Sequence, residues 1–418
     1  MSGKEYTYFN SCRSCGSREI KHVADLGRMP LAGGFIPRSV KKIRGEKRYP
    51  LQLVFCKKCA LVQVNISIRP DTLFKYYYYR SSVIATLVRH FEGIAARLAK
   101  KFGEPKKRFV VEIGCNDGSF IKALRARGFR ALGVDPARNL VQPLIKKGMP
   151  ILNTYFTEKL ARSIAKEEGK ADVIFSSNTL AHVEDINDVF AGIAALLKDD
   201  GQLIFEVHYL GSLLKETQYD MVYHEHQYYY SALSVSRLLR RHGLELFDAE
   251  LIPIHAGSVR FYAQKNRAGK RLETARLRSL RKKERHENYG LVSAYEKLDQ
   301  RIRKSREDLI ELLEKLKKNG KRIAGYGASG RATIISNYCG LGRFLDYCVD
   351  DSPLKQGTRM PGVHLPVVSA NSLYGRKAPD YVVLFAWAFS REIVQKHKKF
   401  VSRGGRFIVP LPHVRFTR

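Results

Sequence analysis

Phe109-Val110-Val111-Glu112-Ile113-Gly114-Cys115-Asn116-Asp117-Gly118-Ser119 runs an apolar strand into a glycine-rich turn. Helical sequence follows over residues 120–128, and Ala131-Leu132-Gly133-Val134-Asp135 begins a second strand. Further strands are read at Ala171-Asp172-Val173-Ile174-Phe175-Ser176-Ser177-Asn178 and Gly201-Gln202-Leu203-Ile204-Phe205-Glu206-Val207. Buried strands alternating with helices predict an α/β chain built on a parallel, doubly wound sheet. The glycines let the backbone approach a ligand closely, and Asp135, at the end of the second strand, is placed to take the two hydroxyls of a ribose. The turn lacks the GxGxxG spacing, and its acidic residue would repel a pyrophosphate. A cofactor with an amino-acid tail is therefore favoured over NAD.

The 418 residues exceed one ordinary core, so two or three domains are expected. A composition 44% hydrophobic and 11% aromatic is that of a folded globular protein. Lys and Arg outnumber Asp and Glu by 74 to 40, a net charge of +34. That excess suits a polyanionic partner or anionic small substrates, or reflects a basic proteome in a salt-rich cell. With no apolar run long enough to span a bilayer and none near Met1, no membrane association is expected and the protein is placed in the cytoplasm.

Upstream, Cys12-Arg13-Ser14-Cys15 and Cys56-Lys57-Lys58-Cys59 are two C-x2-C knuckles. Cys12, Cys15, Cys56 and Cys59 can supply four thiolates to a tetrahedral zinc, which would be structural because four sulfurs leave no open position. The odd total of seven cysteines fits a reducing compartment better than a disulfide framework. Leu73-Phe74-Lys75-Tyr76-Tyr77-Tyr78-Tyr79-Arg80-Ser81-Ser82 then leads into helical sequence over residues 83–101. This aromatic run is interdomain packing or, where one phenol faces a cleft, a hydrogen-bond donor.

Downstream, Tyr223-His224-Glu225-His226 concentrates acid–base chemistry in four residues. Two histidines flanking a carboxylate can form a general-base site, a metal site lacking an obvious third ligand, or structural packing. A positioned histidine titrates near neutrality and can take a proton in a transition state, typically worth about 10²–10⁴ in rate. Ala256-Gly257-Ser258-Val259-Arg260-Phe261-Tyr262 reads as a further strand. Residues 265–322 hold 20 basic and 9 acidic residues, with Leu309, Leu312, Leu313 and Leu316 on one face, and read as an amphipathic connector with a solvated basic face or as a nucleic-acid arm. The chain then starts over: Arg322-Ile323-Ala324-Gly325-Tyr326-Gly327-Ala328-Ser329-Gly330 is a G-x-G-x-x-G turn after a strand, and Asp350 ends the next strand. Alone this is a dinucleotide fingerprint, and equally a nest for any diphosphate.

The first glycine turn, with its strands in phase, resembles class I methyltransferases that use S-adenosylmethionine. The resemblance implies that Glu112, Gly114, Asn116, Asp117 and Gly118 lie beneath the methionine portion. It also implies that Asp135 holds the ribose and that Asn178 to His182 border cofactor and substrate.

Over nearly the whole chain, the order of pieces is similar to the nucleotide-sugar C-methyltransferases. The strings that carry this are the two cysteine pairs, Leu31-Ala32-Gly33-Gly34-Phe35, Glu112 to Gly118, Ala181-His182, Tyr223-His224-Glu225-His226, Gly325-Tyr326-Gly327-Ala328 and Val409-Pro410-Leu411-Pro412. The resemblance implies a zinc-binding domain (residues 1–82), a central methyltransferase domain (83–264), the basic connector (265–320) and a Rossmann-like nucleotide-sugar-binding domain (321–418). The implied reaction is C-methylation of a 4-keto-6-deoxy nucleotide-sugar, at C3 in preference to C5, through an enolate that attacks the methyl group. His226 is then the base, Glu225 and Tyr223 orient substrate or stabilise the enolate, and Tyr79 adds a phenol. His182, His224, Arg260, Gly325, Tyr326, Gly327 and Ala328 are the expected substrate contacts. The protein is expected to be a monomer or weak homodimer.

Two departures bear on substrate identity. Gly330-Arg331-Ala332-Thr333 stands where the family carries lysine, glycine and asparagine, and Trp387-Ala388 where asparagine tends to follow the tryptophan. An RNA- or DNA-modifying methyltransferase is the alternative that zinc and charge suggest; the absence of an Asn/Asp-Pro-Pro-aromatic motif and of a Pro-Cys nucleophile argues against it. An NAD-dependent oxidoreductase and an inactive zinc scaffold are further rivals.

Overall fold

The structure, a computed structural model, describes residues 5–43, 45–75, 77, 79–266 and 271–417. Tyr76 and Tyr78 of the aromatic run fall outside the described residues. At the centre is a seven-stranded sheet in the spatial order Leu244–Ile252, Ser258–Lys265, Leu197–His208, Ala171–Ser177, Phe109–Ile113, Arg130–Val134 and Ile151–Leu152. Only Ser258–Lys265 runs antiparallel to its neighbours. Every residue of Phe109–Ile113 is buried, as a strand covered by helices on both faces must be. Strand order reverses between Phe109–Ile113 and Ala171–Ser177, and the crevice at the carboxyl ends of those strands is where such sheets bind ligands. Leu244–Ile252 has no counterpart in the sequence reading; Glu245, Asp248 and Glu250 and a register shift after Leu246 break its apolar alternation.

The N-terminal lobe is a four-stranded antiparallel sheet in the order Tyr228–Tyr229, Val62–Val64, Tyr49–Cys56 and Ile20–Met29. Its first strand comes from far downstream, two residues after His226. A loop of this lobe, Ile36–Pro37, also pairs with Thr358–Arg359 of the C-terminal lobe. The C-terminal sheet is parallel in the order Val367–Val368, Cys348–Val349, Ile323–Tyr326, Tyr381–Leu384 and Arg406–Val409, with antiparallel Arg415–Phe416 at its edge.

Between the sheets, the basic segment forms two helices, Ala275–His286 and Ser293–Lys318. Leu309, Leu313 and Leu316 are buried, and Tyr295 packs its ring 4.6 Å from Phe55 of the N-terminal sheet. Buried Glu284 accepts the backbone N–H groups of Ala232 and Leu233 at 2.8 and 2.9 Å, capping the helix Ala232–Arg241 with a carboxylate. Among the described residues no helix is long and apolar enough to cross a membrane.

Candidate active site

A cavity of about 1150 Å³ opens at the carboxyl ends of the central sheet, walled on its far side by the C-terminal lobe. Its floor is the first glycine turn. Gly114 has φ +77°, and a Cβ there would stand 2.0 Å from Thr179 Oγ1, so the close approach admits only glycine. Asp135 accepts the N–H groups of Asn116 and Ala137, both at 2.8 Å, which fixes the turn against the second strand. Asn116 reaches the other way: its Oδ1 accepts Ser81 N–H at 3.1 Å and its Nδ2 donates to the Tyr79 carbonyl at 3.1 Å. Asp117 accepts Ser82 N–H at 2.8 Å, so the end of the aromatic run is strapped across the turn. Asp117 and Gly118 face this strap and the following helix; Tyr79, Glu112, Gly114, Asn116, Asp135 and Asn178 line the cavity itself.

Glu112 is the residue that most needs a ligand. It is buried, its Oε2 has no partner among the described residues, and burial beside Asp135 and Asp117 pushes its pKa well above the usual carboxylate range. A cation placed there would relieve that cost, because an unpaired buried carboxylate is penalised until an opposite charge arrives. The α-ammonium of a methionyl group is such a cation, and with a second carboxylate, Asp135, on the cavity wall the turn fits S-adenosylmethionine.

The acid–base stretch forms the opposite wall. His226 is buried, and its Nδ1 donates to the Met221 carbonyl at 2.9 Å. That bond places the proton on Nδ1 and leaves a lone pair on Nε2. Burial, with His182 and His208 nearby, holds its pKa well below the usual 6.5, so the ring is neutral and basic at Nε2. Tyr223 stacks with its ring centroid 3.9 Å from that of His226, and His182 packs 4.9 Å away on the same ring. His182 is pushed down to about 4 by burial, and its Nε2 has no partner among the described residues.

The other two members of the motif point elsewhere. His224 donates from Nε2 to the Pro50 carbonyl at 3.1 Å and meets Tyr49 edge to face, so it fastens the stretch to the N-terminal sheet. Glu225 sits against Gly33, whose added Cβ would be 3.5 Å from Oε1, and burial raises its carboxyl to about 7. Arg260 also lies apart from the cavity wall. Its Nε donates to Glu206 at 2.7 Å and its Nη1 to Glu250 at 2.9 Å, completing a buried ion cluster with His90.

The second glycine turn is filled by the protein. Lys355 Nζ donates to the Ala328 carbonyl at 2.6 Å and lies 3.5 Å from Asp350, where a diphosphate and ribose would otherwise rest. Phe385 comes within 2.5 Å of the point where a Gly325 Cβ would lie, and Ala386 within 2.8 Å of that for Gly327. Gly325, Tyr326, Gly327 and Ala328 accordingly do not line the cavity; Ser329, Gly330 and Arg331 do. One departure from the family pattern, Arg331, meets the tryptophan that precedes the other: Arg331 Nε and Trp387 Nε1 each donate to Asp220 Oδ2 at 2.8 Å, and the guanidinium stacks 4.8 Å over the indole ring.

Sequence reasoning missed Arg331, His208 and His255 as residues lining the cavity, and Asp220 as the carboxylate that holds Arg331. His208 is the last residue of a strand that the sequence reading ends at Val207, and His255 and Ala256 carry positive φ in the loop before Ser258–Lys265.

In the N-terminal lobe the four cysteine sulfurs lie within 4.8 Å of one another, with Cys12 to Cys59 at 3.5 Å and Cys15 to Cys56 at 3.6 Å. Zn–S bonds of about 2.3 Å in a tetrahedron set sulfurs about 3.8 Å apart, so the donor set fits zinc, and the spacing is too long for disulfides.

Three family profiles cover the chain: a zinc binding domain over residues 12–74, a methyltransferase domain over 87–249 and a C-methyltransferase C-terminal domain over 253–412. The C-methyltransferase NovU of Streptomyces niveus is 34% identical over 407 residues, spanning 97% of this chain and 96% of that protein. The chain belongs to the C-methyltransferase family. More distantly, a malonyl-[acyl-carrier protein] O-methyltransferase of Hamiltonella defensa is 25% identical over 30% of this chain and 47% of its own. A solved magnesium protoporphyrin IX methyltransferase from Synechocystis PCC 6803 aligns at 16% identity over 43% of this chain and 83% of its own, with a TM-score of 0.33. This C-methyltransferase is thus an S-adenosylmethionine-dependent enzyme with a class I methyltransferase sheet and a four-cysteine zinc site in its N-terminal lobe.

Proposed function

We propose that the enzyme methylates a carbon beside the ketone of a 4-keto-6-deoxy sugar carried on a nucleoside diphosphate, C3 in preference to C5. The observation that carries this reading is the fixed tautomer of His226: a buried, neutral imidazole with its lone pair on Nε2, in the same cavity as the methyl-donor turn. S-adenosylmethionine supplies an electrophilic methyl group on a sulfonium, so no acid is needed for the leaving group. His226 Nε2 takes the proton α to the ketone, and the C–H electrons pass into an enolate. Tyr223, stacked on the base, and Tyr79, at the rim, are phenols able to donate to the developing oxyanion. Glu225 acts behind them, holding the motif to the Gly33 loop. The nucleotide follows the wall from Ser329 to Arg331. Four clustered thiols suit a reducing cytoplasm, where a soluble nucleotide-sugar is met by a monomer or weak homodimer.

Incubation of labelled S-adenosylmethionine with a panel of 4-keto-6-deoxy nucleotide-sugars, with NMR identification of product, tests the reading. Label in a new C–CH3 group is expected. His226→Asn should lower turnover by about 10³-fold with S-adenosylmethionine affinity retained; near wild-type turnover in that variant would remove the base assignment.

A further inference from the structure

The end of strand Leu197–His208 brings a fourth histidine ring to the cavity that neither the motif nor the proposed mechanism uses. Side chains alternate along a strand, so His208 shares its face with Glu206, one step nearer the carboxyl edge. Glu206 is satisfied by Arg260, His90 and Ser177. His208 is not: it is 6% exposed, the Gln218 side chain lies beside it, and neither ring nitrogen reaches a partner at hydrogen-bond geometry among the described residues. A buried polar group left unpaired costs about 1–3 kcal/mol, and an imidazole has one donor and one acceptor to satisfy. The ring lines the cavity that His226 also lines.

We infer that His208 is a catalytic residue whose ring N–H donates to the ketone oxygen of the substrate and carries the oxyanion of the enolate. The inference rests on the ketosugar reading above. His226 Nε2 takes the α-proton; the C–H pair becomes the enolate C=C and the carbonyl π pair moves onto oxygen, where the His208 N–H meets it. The carbonyl then reforms as the enolate carbon bonds the methyl, and the S–CH3 pair stays on sulfur as a thioether. His208 ends the cycle as it began, and His226 sheds its proton to water. A donor of this kind must stay neutral, since an imidazolium would surrender its proton to the enolate rather than share it. The surroundings meet that need: burial with the nearby Arg331 guanidinium and His255 pushes His208 down to about 3. Arg331 is in turn fixed by Asp220.

The test uses the full-length enzyme, S-adenosylhomocysteine in place of the methyl donor, and thymidine-diphosphate 4-keto-6-deoxyglucose in deuterium oxide. Deuterium entering the carbon beside the ketone reads enolisation alone. Wild type should exchange. His208→Leu should exchange about 10²–10³-fold more slowly with unchanged affinity for S-adenosylmethionine. His208→Gln, which restores an N–H at similar reach, should stay within about tenfold of wild type, and His208→Asn, polar but shorter, should fall at least about tenfold below Gln. Exchange in His208→Leu within about threefold of wild type, or equal rates for Gln and Asn, would overturn the role of His208 alone. No exchange in wild type would overturn the ketosugar reading and this subsite with it.

Discussion

The turn at Gly114–Gly118 and the turn at Gly325–Gly330 leave the same kind of strand, at the same kind of crevice in a parallel sheet. The first opens onto the cavity; Glu112 Oε2 has no partner among the described residues, and the Asp135 carboxylate accepts the backbone N–H groups of Asn116 and Ala137. In the second, Lys355 spans from the Ala328 carbonyl to Asp350. Phe35 lies beneath that ammonium, and Ala32 comes within 3.2 Å of where a Gly330 Cβ would be. A glycine turn after a strand therefore records that something must come close to the backbone. Whether that something is a ligand or another part of the chain depends on residues remote in sequence.

Gly114→Ala should separate the two turns most sharply. Its Cβ would collide with Thr179 in a left-handed backbone, so affinity for S-adenosylmethionine should fall on the order of 100-fold by calorimetry. Gly327→Ala, also left-handed and meeting Ala386, should cost about 1–3 kcal/mol of stability while leaving that affinity within about twofold. A large loss of affinity in Gly327→Ala would erase the distinction.

Zinc gives a second test, because the Leu31–Phe35 loop of the lobe it organises packs against the second turn, whereas the first turn is held by residues 79–82 at the far end of the aromatic run. Cys12→Ser should remove the metal and lower stability by several kcal/mol. Hydrogen exchange should then quicken at residues 325–331 and 228–229 well before residues 114–118. Equal loosening of both turns would mean that the lobe acts globally. NAD titrated to about 1 mM should give no heat with wild type, since Lys355 already fills the second turn; saturable binding there would make it a dinucleotide site after all.

The smallest expected effect is on the pH profile. His226 is held well below 6.5, and as a depressed histidine it needs protons only on the acid side, so kcat/KM should remain on its plateau down through pH 6 and decline below it. An acid limb centred at or above 6.5 would place the base elsewhere, or in water.

Most of the central fold is legible because it rests on local signals: fully apolar strands such as Phe109–Ile113, glycines with positive φ, and an acidic residue closing the second strand. The cysteine knuckles are legible because metal chemistry fixes their spacing. What is not legible is tertiary. Arg260 looks like a substrate contact until Glu206 and Glu250 are seen around it, and Gly325 to Ala328 look vacant until Lys355 is placed. His208 sits where a strand residue is expected and shows its unpaired nitrogens only in three dimensions. Arg331 and Trp387 lie far apart along the chain and become one feature at Asp220.

The strand Tyr228–Tyr229, two residues beyond His226, is hydrogen-bonded into the zinc lobe's sheet. Domain shuffling would have to respect that stitch. A shortened protein beginning at residue 83 would leave Tyr228–Tyr229 without its neighbour Val62–Val64, so the loop bearing the base would lose its anchor even though every residue of the loop were present. Grafting the lobe from a relative should succeed only when the three-residue strand Val62–Val64 and the downstream pair are exchanged together. The metal-binding end and the proton-transferring loop are, in that sense, one inherited unit split across the chain.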